Sequence, residues 1–233
     1  MAAVELINST LYSDANLKAY WQFESNSNAT VGSQNGTDSN MSYVAGKFGN
    51  AASFNNTSGK ITIADNATMS ITTNGTWLFW FKAGNITTNG NDVIFAQWVA
   101  SNYAFNIVHM TSSGDLQANF SPTSSGSGGT DLNGTTAITT DWTMIALVKS
   151  GATITWYVNG SAAGTSSTQA NPLYASVADF IWGNNGNNDG YLDGLIDDFA
   201  IFDRALTSTE IADHYSGADS LATPSGKNFL AFM

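Results

Sequence analysis

The stretch from Gly190 to Gly217, GYLDGLIDDFAIFDRALTSTEIADHYSG, constrains the fold more than any other part of the chain. Between Tyr191 and Phe202 the apolar residues fall on both parities of an extended backbone, which is typical of a strand covered on both faces. They are Leu195, Phe199 and Ile201 on one parity and Ile196, Ala200 and Phe202 on the other. We therefore predict a core strand here.

A helix start follows this strand directly. Thr207 is placed as the N-cap, and Glu210 three residues later completes a capping box. Leu206 and Ile211 have the spacing of a hydrophobic staple across the same helix start. The sequence thus predicts a short helix, from Ser208 to Tyr215, that packs against the rim of a sheet.

The same stretch resembles the C-terminal strand and helix of laminin G-like jelly rolls in the concanavalin A-like superfamily, which often read GxIDDVRIYNRALSxxEI. Pentraxins carry a looser version. Four more segments resemble family motifs in the same order, namely LKAYWQFE (Leu17 to Glu24), GKFGNAASFNNTSGKITI (Gly46 to Ile63), TNGTWLFWFKA (Thr73 to Ala83) and WTMIALVKSGATITWYVNG (Trp142 to Gly160). The resemblance implies an all-β, two-sheet antiparallel jelly-roll sandwich with one short C-terminal helix.

This resemblance divides the chain into an N-terminal arm (1–16), a laminin G-like domain (17–217) and a C-terminal tail (218–233). Val4, Ile7 and Leu11 have helical spacing in the arm, and the tail ends in the apolar run FLAFM. Exposed apolar segments of this kind favour docking on another surface. We therefore expect a homo-oligomer, or attachment to a lattice, through the two terminal segments.

Composition excludes several classes of function. Seven Lys plus Arg stand against eighteen Asp plus Glu, which gives a net charge of −11 and no basic cluster for nucleic acid. There is no Cys, so neither disulfides nor thiolate metal sites are expected. No segment is apolar enough to insert into a membrane, and the start has no signal-peptide pattern. A low-Lys, Asn- and Thr-rich surface then favours a virion or extracellular-surface location.

The acidic residues argue against an enzyme. Of the three Glu, none lies in an acidic cluster. Asp197 and Asp198 are neighbours on a predicted strand, so they are expected to point to opposite faces and not to flank a sugar bond. No Cys is present, no Ser lies in a G-x-S-x-G turn, and His109 and His214 have no partner nearby in sequence. We predict a non-catalytic protein.

Two places could hold calcium. Asn185, Asn187 and Asp189 alternate before Gly190 like the first half of a calcium loop, although Ile196 at the twelfth position excludes an EF-hand. In pentraxins the loop before the last strand holds calcium that bridges to ligand, so the resemblance implies the same here. The alternative is a polar turn rich in Asn and Gly.

The second place involves Asp197, Asp198 and Glu24. In related jelly rolls an aspartate of the IDD motif, with oxygens from an early strand, holds a structural calcium. One of the two adjacent aspartates is also expected to point inward, where an unpaired carboxylate is costly. Either an ion or a set of backbone hydrogen bonds would satisfy it, and the sequence leaves both open.

Carbohydrate recognition uses aromatic platforms and planar amides. The candidates near predicted loops are Trp98, Asn102, Tyr103, Asn185, Asn187 and Tyr191. The alternative for the aromatic residues among them is packing in the core.

The function that these observations favour is a non-catalytic recognition or decoration module. We expect a structural component of a phage particle, associated with the capsid or tail, with glycans or other virion or surface proteins as partners. The alternative is a free-standing, calcium-dependent carbohydrate-binding lectin domain of a bacterial extracellular protein, and a glycosidase is less favoured.

Overall fold

The computed structural model describes residues 3–86, 92–99, 102–109, 115–123, 125, 130–166, 172–186 and 190–221, without the side chains of 99, 102–109, 130, 165 and 166. The strands are β1 (Leu17–Trp21), β2 (Thr37–Ser39), β3 (Ser42–Ala45), β4 (Asn50–Asn55), β5 (Lys60–Ile63), β6 (Asn74–Ala83), β7 (Asp92–Val99), β8 (Asn102–His109), β9 (Leu116–Phe120), β10 (Thr130–Asn133), β11 (Thr143–Ser150), β12 (Thr153–Val158), β13 (Ser161–Ser166), β14 (Phe180–Trp182) and β15 (Asp193–Phe202). One α-helix, α1 (Ser208–Ser216), follows them.

The strands form two antiparallel sheets, as the resemblance implied. The eight-stranded sheet has the order β13-β12-β11-β6-β15-β4-β3, with β1 also paired to β15, and the seven-stranded sheet has the order β10-β9-β8-β7-β14-β5-β2. Strand β4 pairs with the first half of β15 and β1 with its second half. The predicted jelly-roll sandwich with one short C-terminal helix is confirmed.

Aromatic residues fill the space between the sheets. Trp21, Phe95, Trp182 and Phe199 are fully buried there. The Trp21 and Trp182 rings lie 4.8 Å apart in an edge-to-face arrangement, and Phe95 and Phe199 lie 5.2 Å apart in the same way. Such pairs add to the burial of apolar area, so this cluster fixes how the two sheets face one another.

A second core lies on the outer face of the eight-stranded sheet. Helix α1 and two 3-10 turns, Leu6–Asn8 and Thr10–Ser13, cover this face. Leu6 is only 1% exposed, and it packs in the same cluster as Ile211 of α1. This second core explains why β15 is apolar on both parities, and it shows that residues 3–16 pack against their own sheet.

The predicted helix signals are all present. The Thr207 side chain accepts a hydrogen bond from the Glu210 N–H, and Glu210 Oε2 accepts one from the Thr207 N–H at 2.7 Å. Gly217 ends the helix in the left-handed conformation at φ 73°. Arg204 pairs with both Glu210 and Asp14, and this hydrogen bonding lowers the pKa of Glu210 to about 2.

Several short strands escaped the sequence analysis. Strand β10 follows a Ser- and Gly-rich stretch, and neither this strand nor β2, β3 and β13 was predicted from the sequence. Their residues are mostly small or polar, so they carry little alternation of apolar side chains. None of the helices in the described ranges has the length and apolar character needed to cross a membrane.

Candidate functional site

A β-bulge shapes the acidic part of β15. The pairing of β15 with β6 shifts by one residue between Asp197 and Ala200, and Asp198 has a left-handed φ of 52°. Ile196 and Phe199 both belong to the core between the sheets. The two residues between them therefore share the outer face. The prediction that the aspartates point to opposite faces is wrong, because strict alternation fails at a bulge. Both carboxylates, and not one of them, are buried, and they lie on the outer side of the sheet.

Asp197 is 1% exposed, and only one of its two carboxylate oxygens has hydrogen-bond partners among the described residues. Its Oδ2 accepts hydrogen bonds from the backbone N–H groups of Lys47 at 2.8 Å and Phe48 at 2.9 Å. Its Oδ1 is buried and has no hydrogen-bond partner among the described residues. Burial, with a smaller contribution from the nearby Glu24 carboxylate, raises the pKa of Asp197 to about 7.

The turn from Gly46 to Gly49 gives both carboxylates room. A Cβ at Gly46 would lie 2.7 Å from Asp197 Oδ2, and a Cβ at Gly49 would overlap the carboxylate of Glu24. Gly49 also has a φ of 47°, which side chains rarely adopt. Glu24 Oε2 in turn accepts the Asn50 N–H at 3.0 Å. Two glycines thus form a cradle against which Asp197 and Glu24 both lie.

Neighbouring residues hold this turn in place. The Lys47 Nζ lies 4.2 Å from the ring centroid of Trp80, and the Phe48 and Trp80 rings lie 6.0 Å apart. Phe23, immediately before Glu24, has a φ of 59° although it is a buried aromatic residue. Left-handed backbone at Phe23 and Asp198 is costly, and such strain concentrates at ligand clamps.

Asp198 serves the N-terminal segment instead. It is 4% exposed, and it accepts hydrogen bonds from the Leu6 N–H at 3.0 Å and from the Tyr20 hydroxyl. Burial raises the pKa of Asp198 well above its ordinary value, and burial likewise raises the pKa of Tyr20, so that its hydroxyl stays a donor. The described part of the chain has no group of three or more Asp, Glu, His or Cys placed to hold a metal. Of the three predicted calcium ligands, Asp197 and Glu24 both lie against the Gly46–Gly49 turn, whereas Asp198 bonds to Leu6 and Tyr20.

A different surface lies at the end of the β7–β8 hairpin. The register pairs Trp98 with Tyr103 and Val99 with Asn102. Gly186 approaches this hairpin so closely that a Cβ there would lie 2.6 Å from the main-chain oxygen of Trp98. The structure therefore brings Trp98 together with the loop that precedes β15.

One backbone hydrogen bond and one side-chain hydrogen bond stabilise the base of this loop. The Leu192 N–H donates to the Gly183 oxygen at 3.1 Å, and the Asn184 Oδ1 accepts the Gly186 N–H at 2.7 Å. Asn185 and Tyr191 in this loop are half-buried. The predicted ligands Asn187 and Asp189 lie outside the described residues, as do the side chains of Asn102 and Tyr103. Calcium at this loop stays a prediction.

Sequence reasoning missed three residues of the acidic site. Gly46 and Gly49 stand in the segment GKFG, which the sequence analysis noted only as the start of a family motif. Tyr20 is 178 positions from Asp198, and no local pattern connects them.

The two-sheet architecture and the helix that covers one sheet define a concanavalin A-like jelly-roll domain. The chain belongs to the concanavalin A-like lectin/glucanases superfamily, whose sequence model matches residues 54–212. No curated protein sequence matches it.

Several solved structures share this fold, and some of them are binding domains. Domain 4 of AbnA, a GH43 extracellular arabinanase from Geobacillus stearothermophilus, in complex with arabinotriose, is 22% identical with a TM-score of 0.70, covering 87% of this chain and 100% of that domain. The binding domain of Paraclostridial Mosquitocidal Protein 1 is 16% identical (TM-score 0.70), and the binding domain of botulinum neurotoxin DC in complex with rat synaptotagmin II is 14% identical (TM-score 0.69). Each match covers 87% of this chain but only 52% and 51% of those two structures. At these identities the likeness shows the fold.

Proposed function

We propose that this chain is a non-catalytic carbohydrate-binding domain that recognises glycans at an extracellular or virion surface. The observation that carries the proposal is the close approach of Gly186 to the main-chain oxygen of Trp98, which brings two half-buried residues, Trp98 and Asn185, onto neighbouring segments. Aromatic faces stack on the CH faces of sugars, and planar amides hydrogen-bond their hydroxyls. The family and the similar binding domains support the same reading.

Burial supports the absence of catalysis. Since Asp197 and Asp198 share a face, their orientation no longer argues against a glycosidase. Both carboxylates are nevertheless almost completely buried, and their hydrogen bonds go to the backbone and to Tyr20. A carboxylate pair that acts on a glycosidic bond must flank that bond directly. This pair cannot meet a substrate without unfolding its surroundings.

We also propose a structural calcium ion at the acidic turn. The residues fit the ion: Asp197 has a buried oxygen without a partner, and Glu24 lies on the same glycine cradle. Calcium takes six to eight oxygen ligands, so main-chain carbonyls and waters would complete the set. The ion would neutralise two neighbouring carboxylates and hold the strained turn, but it would take no part in glycan chemistry.

A glycan array tests the proposed function. Purified chain with calcium is expected to bind a defined set of glycans and to leave them chemically intact after prolonged incubation. Trp98→Ala should lose this binding, whereas Trp142→Ala, a half-buried tryptophan on the second core, should keep it. No binding by the folded wild-type chain, or release of shorter sugars, would refute the proposal.

Assembly into a phage particle remains our proposal for the biological setting. Residues 3–16 are packed on their own sheet, and the Thr10 N–H and the Leu221 N–H tie this segment to residues 219–221 through backbone hydrogen bonds. Lattice attachment would therefore use the tail or the sandwich surface. Sedimentation velocity of the whole chain and of a chain lacking residues 222–233 tests this, and a monomer in both cases would count against assembly through the tail.

A further inference from the structure

A polar cleft of about 360 Å³ opens beside the segment that joins β5 to β6. Its wall is formed by side chains that carry hydroxyl or amide groups, namely Ser70, Thr72, Thr73 and Asn74. Ile71 lines the same cleft and is 6% exposed. Hydroxyl and amide groups of this kind can hydrogen-bond the hydroxyls of a sugar ring.

An ion pair stands in this cleft. The Lys18 Nζ lies 2.9 Å from Asp203 Oδ2, and the two side chains are 37% and 49% exposed. An exposed ion pair of this kind contributes little to the stability of the fold. It does, however, place a strong donor next to a strong acceptor. Two vicinal sugar hydroxyls can bridge such a pair, one accepting from the ammonium and the other donating to the carboxylate.

A second polar cleft, of about 450 Å³, lies on the other side of one short turn. The 3-10 turn Ala67–Met69 separates the two clefts, and both Ala67 and Thr68 line each of them. The turn is firmly held, because Asn66 Oδ1 accepts the Thr68 N–H at 3.0 Å and Met69 is fully buried. The two clefts thus adjoin one another across this turn.

Gln97 connects this surface to the Trp98 hairpin. Its side chain is fully buried, and its Nε2 donates to the Ala178 oxygen at 3.2 Å and to the Ser70 hydroxyl at 3.4 Å. Its Oε1 is buried without a hydrogen-bond partner among the described residues. Because Gln97 directly precedes Trp98, the clefts and the hairpin lie at the same end of the sandwich.

We propose that the two clefts form an oligosaccharide-binding site, in which a vicinal diol of one neutral sugar unit bridges Lys18 and Asp203. A neighbouring unit then crosses Ala67 into the second cleft. This inference rests on the proposed carbohydrate-binding function and locates its main contacts at residues that the sequence analysis did not name as ligand candidates.

The test uses the whole chain and the neutral oligosaccharide that gives the strongest array signal. Titration calorimetry is expected to show at least tenfold weaker binding for Asp203→Ala and loss of binding for Ala67→Trp, whose side chain would occupy both clefts. Asp141→Ala, which removes the same charge at another exposed position, should bind like the wild type. Thermal melting of each variant checks that it is folded, and Lys18→Met replaces Ala67→Trp if that variant does not fold.

The outcomes separate this inference from the proposed function. If Asp203→Ala and Ala67→Trp bind like the wild type and Trp98→Ala does not bind, the cleft site is wrong and the proposed function stands. Absence of wild-type binding to every glycan would overturn both. Loss of binding in the cleft variants, with Asp141→Ala unaffected, supports the site.

Discussion

Metal-free protein should lose stability as the pH rises from about 4 to about 7, and Asp197 should be a main cause. Burial raises the pKa of Asp197 to about 7 from an ordinary value of 3.8. Between these two pH values the folded chain holds a proton on Asp197 that the unfolded chain has released. The stabilisation is therefore complete below about pH 4 and is lost as the pH rises to about 7.

The size of this loss follows from the same pKa values. Each pH unit within the window changes the free energy of unfolding by about 1.4 kcal/mol for one proton. From pH 5 to the folded-state pKa of about 7, the loss attributable to Asp197 is about 3 kcal/mol. Asp92 and Asp198, whose pKa values are also raised by burial, contribute with the same sign. The variant Asp197→Asn removes only the share of Asp197.

The assay is urea unfolding of wild type and Asp197→Asn in chelator at pH 5 and pH 8. We expect the wild type to lose about 3 kcal/mol more than the variant between the two pH values. Saturating calcium should then stabilise the wild type at pH 8 and leave Asp197→Asn nearly unchanged, because the ion binds the ionised carboxylate. Equal pH dependence in both proteins would refute the assignment of the raised pKa, and equal stabilisation by calcium would refute the metal site.

Three further substitutions test the packing and the cradle. Leu6→Ala should lower the free energy of unfolding by about 3 kcal/mol, because it opens a cavity in the second core. Ile7→Ala should lower it less, because Ile7 is only half-buried. Equal losses for the two variants in urea unfolding would contradict the packing of this segment on the sheet. Tyr20→Phe should lower the free energy of unfolding by about 2 kcal/mol, because Asp198 loses a hydrogen-bond donor. Tyr157→Phe, on the same face of the sheet, should have only a small effect. A melting temperature of Tyr20→Phe equal to that of the wild type would contradict this argument. Gly49→Ala should lower the free energy of unfolding by about 1–2 kcal/mol and weaken calcium binding. Gly59→Ala should be tolerated, because no atom would lie closer than 3.3 Å to the added Cβ. Equal calcium affinities of the two variants in a calorimetric titration would contradict the prediction.

The overall fold follows from local sequence signals to a large extent. The double-sided apolar pattern of β15 anticipates two layers of packing, and the structure supplies them as the sandwich core and the second core. The capping box at Thr207 and Glu210 fixes the helix start within one residue. Strands such as β10 and β13 could not be predicted, because small polar residues form ladders only when neighbouring strands present partners.

The candidate sites were harder to predict because they depend on one local irregularity and on distant contacts. An extra residue in β15 turns Asp197 and Asp198 to the same face, and neither residue is a glycine that would announce a left-handed bulge. The Lys18–Asp203 pair joins positions that only the pairing of β1 with β15 brings together. The sequence analysis had named Trp98 and Asn185 only as candidates near loops, and the structure brings their two segments together. Ligand binding by these residues stays a prediction.

Calorimetric titration of the calcium-loaded chain with an array-selected oligosaccharide, followed by mass spectrometry of the recovered sugar, tests the central claim most directly. A saturable binding heat together with recovery of an unaltered ligand is the expected result for a non-catalytic carbohydrate-binding domain. Absence of binding heat with any array glycan, or recovery of shortened sugars, would contradict it.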